Sequence, residues 1–220
     1  MLVLGLDTST PAVSVALVDV ATGEVVAEPA PADGRQHGEL LAGLVRDLLA
    51  EPRVRQDGLH GVVVGVGPGP FTGLRVGMVS AAVLGDALGA PVHGVCSLDG
   101  LAGEVDGPVV AVTDARRREV YWARYNADGD RLEGPDVDLP ATLAARLPPN
   151  SVLVGAGAGL YRDVFGAHRV LDQPRYPRAA ALVRVAAGRL REGEAPGPLV
   201  PLYLRRPDAT EPAAAKRVGP

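Results

Sequence analysis

Apolar residues change their spacing along the first fifty residues of the chain. Residues 2–6 are an unbroken apolar run that ends at Asp7, and residues 13–18 are apolar except for Ser14. Short apolar runs of this kind predict buried strands, and residues 24–28 are predicted to form a third. From residue 37 the apolar positions recur at helical spacing, so the pattern predicts an amphipathic helix over residues 37–50.

A glycine-rich segment follows the next predicted strand. Residues 62–66 are a buried apolar run, and residues 65–77 read Gly-Val-Gly-Pro-Gly-Pro-Phe-Thr-Gly-Leu-Arg-Val-Gly. Thr72 is placed to cap the start of a helix over about residues 73–88, where Gly-Ala-Pro ends it. We therefore predict that this segment first forms a turn and then begins a helix.

The second half of the chain repeats this order of elements. Residues 109–113 are an apolar run that ends at Asp114, as the first strand ends at Asp7. Two more strands are predicted at residues 119–125 and from residue 131, then a helix at 141–147, a strand at 151–154 and a helix from 158. Two copies of βββαβα predict an α/β fold with an internal duplication.

The repeat also suggests how the chain is divided. We assign residues 1–103 to an N-terminal lobe and residues 104–204 to a smaller C-terminal lobe that ends with a helix near residues 178–191. Residues 205–220 are rich in proline, alanine and charge, so they are predicted to be a flexible tail.

Composition limits the classes of function. The apolar fraction is 47% and the net charge is −4, so we predict a globular protein that does not bind nucleic acid on its own, because such binding depends on lysine and arginine. The first residues lack the basic region of a signal peptide, and no apolar run approaches the roughly 18 residues of a bilayer span. We therefore expect a cytoplasmic protein without membrane contact. The single cysteine, Cys96, is expected to be a small buried residue.

The common catalytic and metal-binding patterns are absent from the sequence. The four histidines are scattered, with no pair at the spacing that one helical face offers to a metal. The P-loop pattern with its lysine and the Gly-x-Ser-x-Gly elbow of hydrolases are also missing. We therefore predict no catalytic residue, no metal site and no intrinsic cofactor.

Two segments of the sequence are compatible with ligand binding. Residues 155–159, Gly-Ala-Gly-Ala-Gly, follow a strand and precede a helix, where an anion is favoured, although glycine also has a purely steric use there. Asp7 with Thr8 and Ser9 has the oxygen atoms to hold a hydrated magnesium ion. A turn-forming role for Asp7 fits the pattern equally well.

Small residues recur at every fourth position of the helix after Thr72. Gly73, Gly77, Ala81 and Gly85 form a stripe with almost no side chains, which lets another helix approach closely. The residues predicted to face the protein's own core are Leu74, Val76, Met78, Val79 and Val83. The stripe is then available for docking a partner. The alternative is that it packs on the protein's own sheet or on the 37–50 helix, and spacing alone does not decide between them.

The helix predicted over residues 37–50 favours the docking interpretation. It carries two leucines per turn, and its polar surface is confined to Glu39, Arg46 and Asp47. A helix that is apolar over so much of its circumference is expected to have two packing partners. The residues that we assign to a joint partner surface are His37, Leu41, Leu44, Leu48, Gly73, Gly77, Ala81 and Gly85.

Five segments of the chain together resemble the TsaB family, also called YeaZ. They are residues 4–9, 37–41, 65–77, 114–121 and 201–205. Their order and spacing match the family over nearly the whole chain, and Gly-Pro-Gly-Pro-Phe-Thr-Gly-Leu-Arg is a highly specific motif. The resemblance implies an actin-like ATPase (ASKHA) fold of two βββαβα lobes and a protein with no activity of its own.

The resemblance also implies partners. It implies binding to a TsaD-like catalytic subunit, which carries the metal and adds the threonylcarbamoyl group (t6A) to the adenosine after the anticodon in tRNAs that read codons starting with A. A small TsaE-like ATPase joins them, and tRNA is contacted only through the complex. The first-lobe helices, here about residues 37–50 and 73–88, are implied to pack with the equivalent pair of TsaD or of a second TsaB copy in a homodimer.

The resemblance also has implications for nucleotide binding. Active actin-like phosphotransferases have glycine where this chain has Thr8 or Ser9, so tight ATP binding by the isolated chain is not expected. ATP or ADP at the assembled interface stays open, and the candidate residues are Asp7, Thr8, Ser9, Arg75, Asp114 and Arg116. Two other functions also stay open: an autonomous actin-like kinase or metallopeptidase, and a homodimeric binding module.

Overall fold

Strand β1 (Leu2–Asp7) is the central strand of the first of two sheets in the computed structural model, which describes residues 1–33 and 37–205. The other strands of this sheet are β2 (Ala12–Asp19), β3 (Glu24–Ala27), β4 (Ala32–Asp33), β5 (Gly61–Gly65) and β6 (Val92–Val95). Their order is β3-β2-β1-β5-β6, with β4 paired to β2. Strand β2 is antiparallel to β1, whereas β5 is parallel to it and β6 is parallel to β5. From residue 206 onward, the predicted flexible tail lies outside the described residues.

The second sheet repeats the arrangement of the first. Its strands are β7 (Val109–Asp114), β8 (Val120–Tyr125), β9 (Arg131–Asp138), β10 (Val152–Val154) and β11 (Arg169–Val170). Their order is β9-β8-β7-β10-β11, so in both sheets an antiparallel meander lies on one side of the first strand and parallel strands lie on the other. This common order confirms the predicted α/β fold with an internal duplication.

Seven helices are present among the described residues. They are α1 (His37–Leu49), α2 (Pro52–Asp57), α3 (Phe71–Leu88), α4 (Ser97–Ala102), α5 (Pro140–Arg146), α6 (Ala156–Leu160) and α7 (Ala179–Arg191). The predicted capping role of Thr72 is wrong, because α3 begins at Phe71 after the extended residue Pro70, and Thr72 lies inside its first turn. Pro70 has no side-chain donor or acceptor, so no side-chain hydrogen bond caps this end.

Helices cover both faces of the first sheet. Helices α1 and α3 pack on one face, where Leu41 and Met78 join the apolar residues of β1, β2 and β5. Helix α7 packs on the opposite face so closely that a Cβ on Gly5 would lie 2.6 Å from the carbonyl oxygen of Ala179. By sequence α7 falls in the predicted 104–204 lobe, yet it completes the core of the first lobe. The predicted boundary at residues 103 and 104 therefore does not describe how this helix packs.

Helix α4 connects the two lobes. It packs on α7 and on β7, and its Asp99 accepts hydrogen bonds from Arg131 at 2.6 Å and from the hydroxyl of Tyr125 at 2.7 Å. Cys96, which precedes the helix, is buried, and its burial raises the pKa of the thiol to about 12. A thiol with a pKa this high is almost entirely protonated at neutral pH, as expected of a structural cysteine.

Candidate functional site

The glycine-rich segment 65–77 packs around the turn that follows β1. A Cβ on Gly65 would lie 1.9 Å from Oδ2 of Asp7, and one on Gly77 would lie 2.3 Å from Oγ1 of Thr8. The Thr8 hydroxyl donates to the carbonyl of Gly73 at 2.8 Å and accepts from the N–H of Gly77 at 3.1 Å. Glycine is required at residues 65 and 77 because no side chain fits between the two segments.

The predicted docking role of the small-residue stripe on α3 is therefore wrong. Gly77, Ala81 and Gly85 are buried, and a Cβ on Gly85 would lie 2.2 Å from a methyl group of Val92 in β6. A Cβ on Gly73 would lie 2.6 Å from the carbonyl oxygen of Thr8. The alternative that the sequence left open is correct, because the stripe allows α3 to lie directly on the protein's own β1 turn and β6.

The opposite side of α3 is exposed and largely apolar. Val79 and Val83, which were predicted to face the core, are 60% and 62% exposed, and Phe71 is 53% exposed. These residues and Arg75 are spaced four apart, so they lie on one face of the helix. Leu74 and Met78 are buried, as predicted, and Val76 is half-buried. A helix can expose so much apolar surface when another molecule covers it.

Helix α1 supplies the second wall of a groove beside this face. Ala42, Arg46 and Leu49 of α1 line it together with Val79 and Val83 of α3, and its volume is about 650 Å³. We refer to the groove and the exposed face of α3 as the α1–α3 surface. Its lining is mostly aliphatic, which is typical of the buried centre of a protein interface.

Several predicted interface residues of α1 are less accessible than expected. Leu41 is only 1% exposed and Leu48 is also buried, because both pack on the first sheet. Leu41 still lines the groove, whereas Leu48 does not, so the assignment of Leu48 to a partner surface is wrong. Leu44 is half-buried at the edge of the same core. Nε2 of His37 lies 3.1 Å from the carbonyl oxygen of Thr10, so this side chain joins the start of α1 to the β1–β2 turn.

Aromatic side chains extend the α1–α3 surface at the start of α3. The rings of Phe71 and Tyr203 are stacked with their centroids 5.2 Å apart, and the guanidinium of Arg75 lies 4.0 Å from the Phe71 ring centroid. This places Arg75 on the same exposed face as Val79. Arg75 is therefore separate from the other proposed nucleotide residues.

By length and composition, α3 is also able to cross a bilayer. The expectation that no segment approaches that length was therefore too strong. One side of the helix is nonetheless part of the folded core, since Gly77 contacts Thr8 and Gly85 contacts Val92. Core helices of folded domains pass the same test of length and hydropathy.

A separate cleft lies between the two lobes and has a volume of about 260 Å³. Ser9, Thr10 and Pro11 of the first lobe face Asp114 and Arg116 of the second across it. The other residues that line the cleft are Pro70, Thr113, Ala156, Gly159, Leu160, Arg175 and Tyr176. Of the six proposed nucleotide residues, Ser9, Asp114 and Arg116 are thus brought together in this cleft.

Asp7 and Thr8 are turned away from the cleft. Oδ1 of Asp7 accepts hydrogen bonds from the N–H and hydroxyl of Ser9 at 2.9 and 2.8 Å, and Oδ2 accepts one from Ser97 at 2.6 Å. Burial raises the pKa of the Asp7 carboxyl above its ordinary value, although the hydrogen bonds from Ser97 and Ser9 act in the opposite direction. The turn-forming alternative for Asp7 is therefore correct.

These contacts leave the cleft poorly suited to the ATP that its fold class implies. A magnesium ion would need an acidic oxygen, but both oxygens of Asp7 are already bonded inside the protein. The carboxylate of Asp114, which does line the cleft, accepts the N–H of Arg116 at 2.9 Å and lies 3.8 Å from Nε of the same residue. The chain's single lysine, Lys216, lies outside the described residues, and within residues 1–33 and 37–205 no three His, Cys, Asp or Glu side chains cluster as metal ligands. The residues present thus do not fit a magnesium-bound triphosphate.

Sequence reasoning missed four polar residues of the cleft, which are Thr10, Thr113, Arg175 and Tyr176. Thr113 precedes Asp114 at the end of β7, and Arg175 follows β11, where its carbonyl accepts the N–H of Ala156 at 2.8 Å. The loop after Asp114 contains three consecutive arginines, and all of them have left-handed φ angles of 62°, 52° and 63°. The run of arginines was visible in the sequence, but only the backbone shows this conformation.

Comparison with known proteins gives the family context. Residues 24–213 match the family model TsaD, described as tRNA N6-adenosine threonylcarbamoyltransferase. An uncharacterised protein of Mycobacterium tuberculosis is 48% identical over 207 residues, which are 94% of this chain and 93% of that protein. The tRNA threonylcarbamoyladenosine biosynthesis protein TsaB of Escherichia coli is 32% identical over 224 residues, which cover 93% of this chain and 95% of that protein.

A solved structure agrees with these matches. YeaZ from Pseudomonas aeruginosa superposes with a TM-score of 0.78 at 31% identity, over 92% of this chain and 99% of that one. Together with the repeated sheet order, this similarity confirms the predicted actin-like fold class.

Proposed function

This chain belongs to the TsaB (YeaZ) family of tRNA threonylcarbamoyladenosine biosynthesis, and on that basis we propose that it is the non-catalytic scaffold subunit that binds and activates a TsaD-like catalytic subunit. The α1–α3 surface is the proposed docking site. In this proposal the partner covers Val79 and Val83 with a helical pair of its own. The catalytic subunit then adds the threonylcarbamoyl group to tRNA.

The exposure of Val79 and Val83 is the observation that carries this proposal. Both side chains project from a helix that is already held on its other side by Gly77 and Gly85, so they are free to contact another molecule. Burying apolar surface contributes about 25 cal/mol per Å², and a rigid helix loses little conformational freedom when it docks. The helices are the same pair that the resemblance implied, but they use the opposite side of α3.

The inward position of Asp7 supports a non-catalytic role. Actin-like enzymes transfer phosphoryl groups with the help of a metal ion, and here the acidic group at the end of β1 is bonded to Ser9 and Ser97 instead. We accordingly propose no intrinsic cofactor, with ATP or ADP meeting this chain only where the assembled complex provides a shared site. A TsaE-like ATPase joins that complex in the cytoplasm, and tRNA is bound by the complex and not by this acidic chain alone.

Reconstitution of the modification tests the function directly. TsaD-like and TsaE-like proteins, threonylcarbamoyl-AMP and a tRNA that reads codons starting with A are combined with and without this chain, and t6A is measured by mass spectrometry of the digested tRNA. We expect t6A to form only when the chain is present. An equal yield without it would disprove the scaffold role. ATP turnover or metal-dependent cleavage by the pure chain would instead favour an autonomous enzyme.

A second copy of this chain is a competing occupant of the α1–α3 surface, because the same exposed valines can face their own counterparts. Sedimentation of the chain alone and with an equimolar TsaD-like subunit distinguishes the two. We expect the heterodimer to form at the expense of any homodimer. A homodimer that persists beside unbound TsaD would favour the binding-module function.

A further inference from the structure

We infer that the cleft between the lobes binds a small molecule through a single phosphate group. The proposed ligands of the phosphate are the guanidinium groups of Arg116 and Arg175 and the hydroxyl of Thr113. This site is distinct from the α1–α3 surface, and the inference goes beyond the scaffold role. It also differs from a triphosphate site, for which the cleft lacks suitable metal ligands.

Charge is the first argument for an anionic ligand. The whole chain has a formal net charge of −4, yet Arg116 and Arg175 both line the cleft and Asp114 is its one acidic lining residue. Nε of Arg116 is 3.8 Å from Asp114, at the outer limit of an ion pair. Within residues 1–33 and 37–205, Arg175 has no carboxylate partner, and its guanidinium is 5.7 Å from the Tyr176 ring centroid. The cleft therefore carries a surplus of positive charge, which suits an oxyanion.

Thr113 provides a second, independent argument. The residue is only 4% exposed and lines the cleft, and its Oγ1 has no hydrogen-bond partner among the described residues. Buried hydroxyl groups nearly always have a partner, so an exception at the wall of a cavity calls for a group that enters from that cavity. A phosphate oxygen can accept the hydrogen bond that the Thr113 hydroxyl would otherwise leave unmade.

The loop that carries Arg116 is held in an unusual conformation. Arg116, Arg117 and Arg118 all have left-handed φ angles, which are unfavourable for residues with a side chain. The carboxylate of Asp114 accepts the N–H of Arg116 at 2.9 Å, and the guanidinium of Arg205 bonds both the Arg116 carbonyl and the Glu119 carboxylate. These contacts fix the loop, so Arg116 is positioned before any ligand arrives.

The size of the cleft limits the ligand. Its volume of about 260 Å³ is below the range of about 300–1,000 Å³ that is usual for drug-sized ligands. Pro11, Pro70 and Leu160 supply apolar walls beside the arginines. The expected ligand is therefore a phosphate monoester with a small, partly apolar body.

Calorimetric titration of the intact chain with inorganic phosphate, AMP, ATP and acetate tests the inference, at ionic strength matched with sodium chloride. We expect saturable binding of phosphate and AMP, with weaker binding of ATP and acetate. Arg116→Gln and Arg175→Gln should each weaken phosphate binding by at least roughly tenfold. Arg55→Gln, which removes an exposed arginine outside both the cleft and the α1–α3 surface, is the control and should leave phosphate binding unchanged.

Thr113→Val distinguishes ligand binding from folding. The valine is nearly the same size and removes the unpartnered hydroxyl, so the variant should fold at least as stably as the wild type but bind phosphate several-fold more weakly. The inference is wrong if neither phosphate nor AMP binds saturably, or if both arginine variants bind as the wild type does. Equal affinity for acetate would also overturn it, because the site would then belong to carboxylates.

Discussion

The N–H of Gly77 donates a hydrogen bond of 3.1 Å to Oγ1 of Thr8, and that oxygen lies 2.3 Å from the position of a Cβ at residue 77. The same hydroxyl donates to the carbonyl of Gly73, one turn earlier in α3. The turn after β1 is thereby joined to the backbone of a helix more than sixty residues later in the chain. This contact explains why residues 73 and 77 are both glycine.

Replacing Gly77 therefore tests folding. Gly77→Ala places a methyl group against Thr8, and overpacking of this kind costs about 1–3 kcal/mol of stability. Gly43→Ala is a matched control, because Gly43 also lies within a helix but a Cβ there has no neighbour within 4 Å. That change should stabilise the protein by about 0.5–1 kcal/mol, as alanine does when it replaces glycine inside a helix. Urea denaturation gives both free energies of unfolding.

A double-mutant cycle identifies the cause of the loss. Thr8→Ala removes the hydroxyl that a methyl group at residue 77 would meet, while Cβ of Thr8 is 3.4 Å from that position. Part of the destabilisation by Gly77→Ala should therefore disappear in the Thr8→Ala background, as a coupling energy of more than about 0.5 kcal/mol. Fully additive effects would mean that the two residues do not interact as described.

Most strands and long helices were predictable because each has its own local pattern. The runs at residues 2–6 and 109–113 are unbroken, and the leucines of α1 follow helical spacing. Short elements such as α2, α4 and β6 were missed, since four to six residues are too few to show a period. The packing of α7 on the first sheet depends on contacts across the whole chain, and no local pattern records them.

The orientation of α3 could not be derived from its sequence. One side carries Gly77, Ala81 and Gly85 and the other carries Val79 and Val83, so neither side is polar enough to be identified as the solvent face. The orientation is decided by the close approach of Thr8 to Gly77 and of Val92 to Gly85, since Thr8 and Val92 lie outside α3. The family resemblance placed Asp7 and Arg116 in one candidate set, although of these two residues only Arg116 lines the cleft.

Charge on the exposed side of α3 should prevent docking without unfolding the protein. Val79→Asp with Val83→Asp introduces two carboxylates into an apolar interface, and burying even one unpaired charge costs more than the roughly 1.4 kcal/mol that corresponds to tenfold in affinity. We expect TsaD-like binding to weaken by more than roughly a hundredfold. Since both residues are exposed in the free chain, the melting temperature should barely change.

Val164→Asp is the matched control for this experiment. Val164 is an exposed valine of the second lobe and does not line the groove. The Val164→Asp substitution should leave both the affinity for the TsaD-like subunit and the t6A yield at wild-type values. Wild-type affinity of the Val79 and Val83 double variant, measured by surface plasmon resonance, would place the docking site elsewhere.

Leu41 of α1 should contribute to stability as a core residue. Leu41→Ala removes a side chain that is 1% exposed and packed on the first sheet, so it should lower the free energy of unfolding by about 2–5 kcal/mol. Any loss of TsaD-like binding should then follow the unfolded fraction in a titration with urea. A loss of binding with unchanged stability would instead show that Leu41 contacts the partner through the groove.

Two aspartates of the first sheet should give opposite dependences of stability on pH. Burial raises the pKa of Asp7, whereas the N-terminal amine of Met1 at 2.9 Å and Arg53 at 2.6 Å lower that of Asp19 to about 2. The unfolded carboxyl titrates near about pH 3.9. Above that pH the folded state still holds the Asp7 proton that the unfolded state has lost, so the contribution of Asp7 to stability falls as pH rises.

For Asp19 the sign is reversed, because between about pH 2 and 4 the unfolded state binds the proton and the folded state does not. The stability difference between wild type and Asp19→Asn should therefore grow as pH rises from 2 to about 5, and that between wild type and Asp7→Asn should shrink as pH rises above about 4. Asparagine keeps an oxygen that can accept the Ser9 hydrogen bonds, so Asp7→Asn should still fold. Urea denaturation at a series of pH values measures both differences. If the free energy of unfolding of the wild type ran parallel to that of Asp7→Asn over this pH range, the buried carboxyl would have an ordinary pKa. The inward, desolvated position assigned to Asp7 would then be wrong.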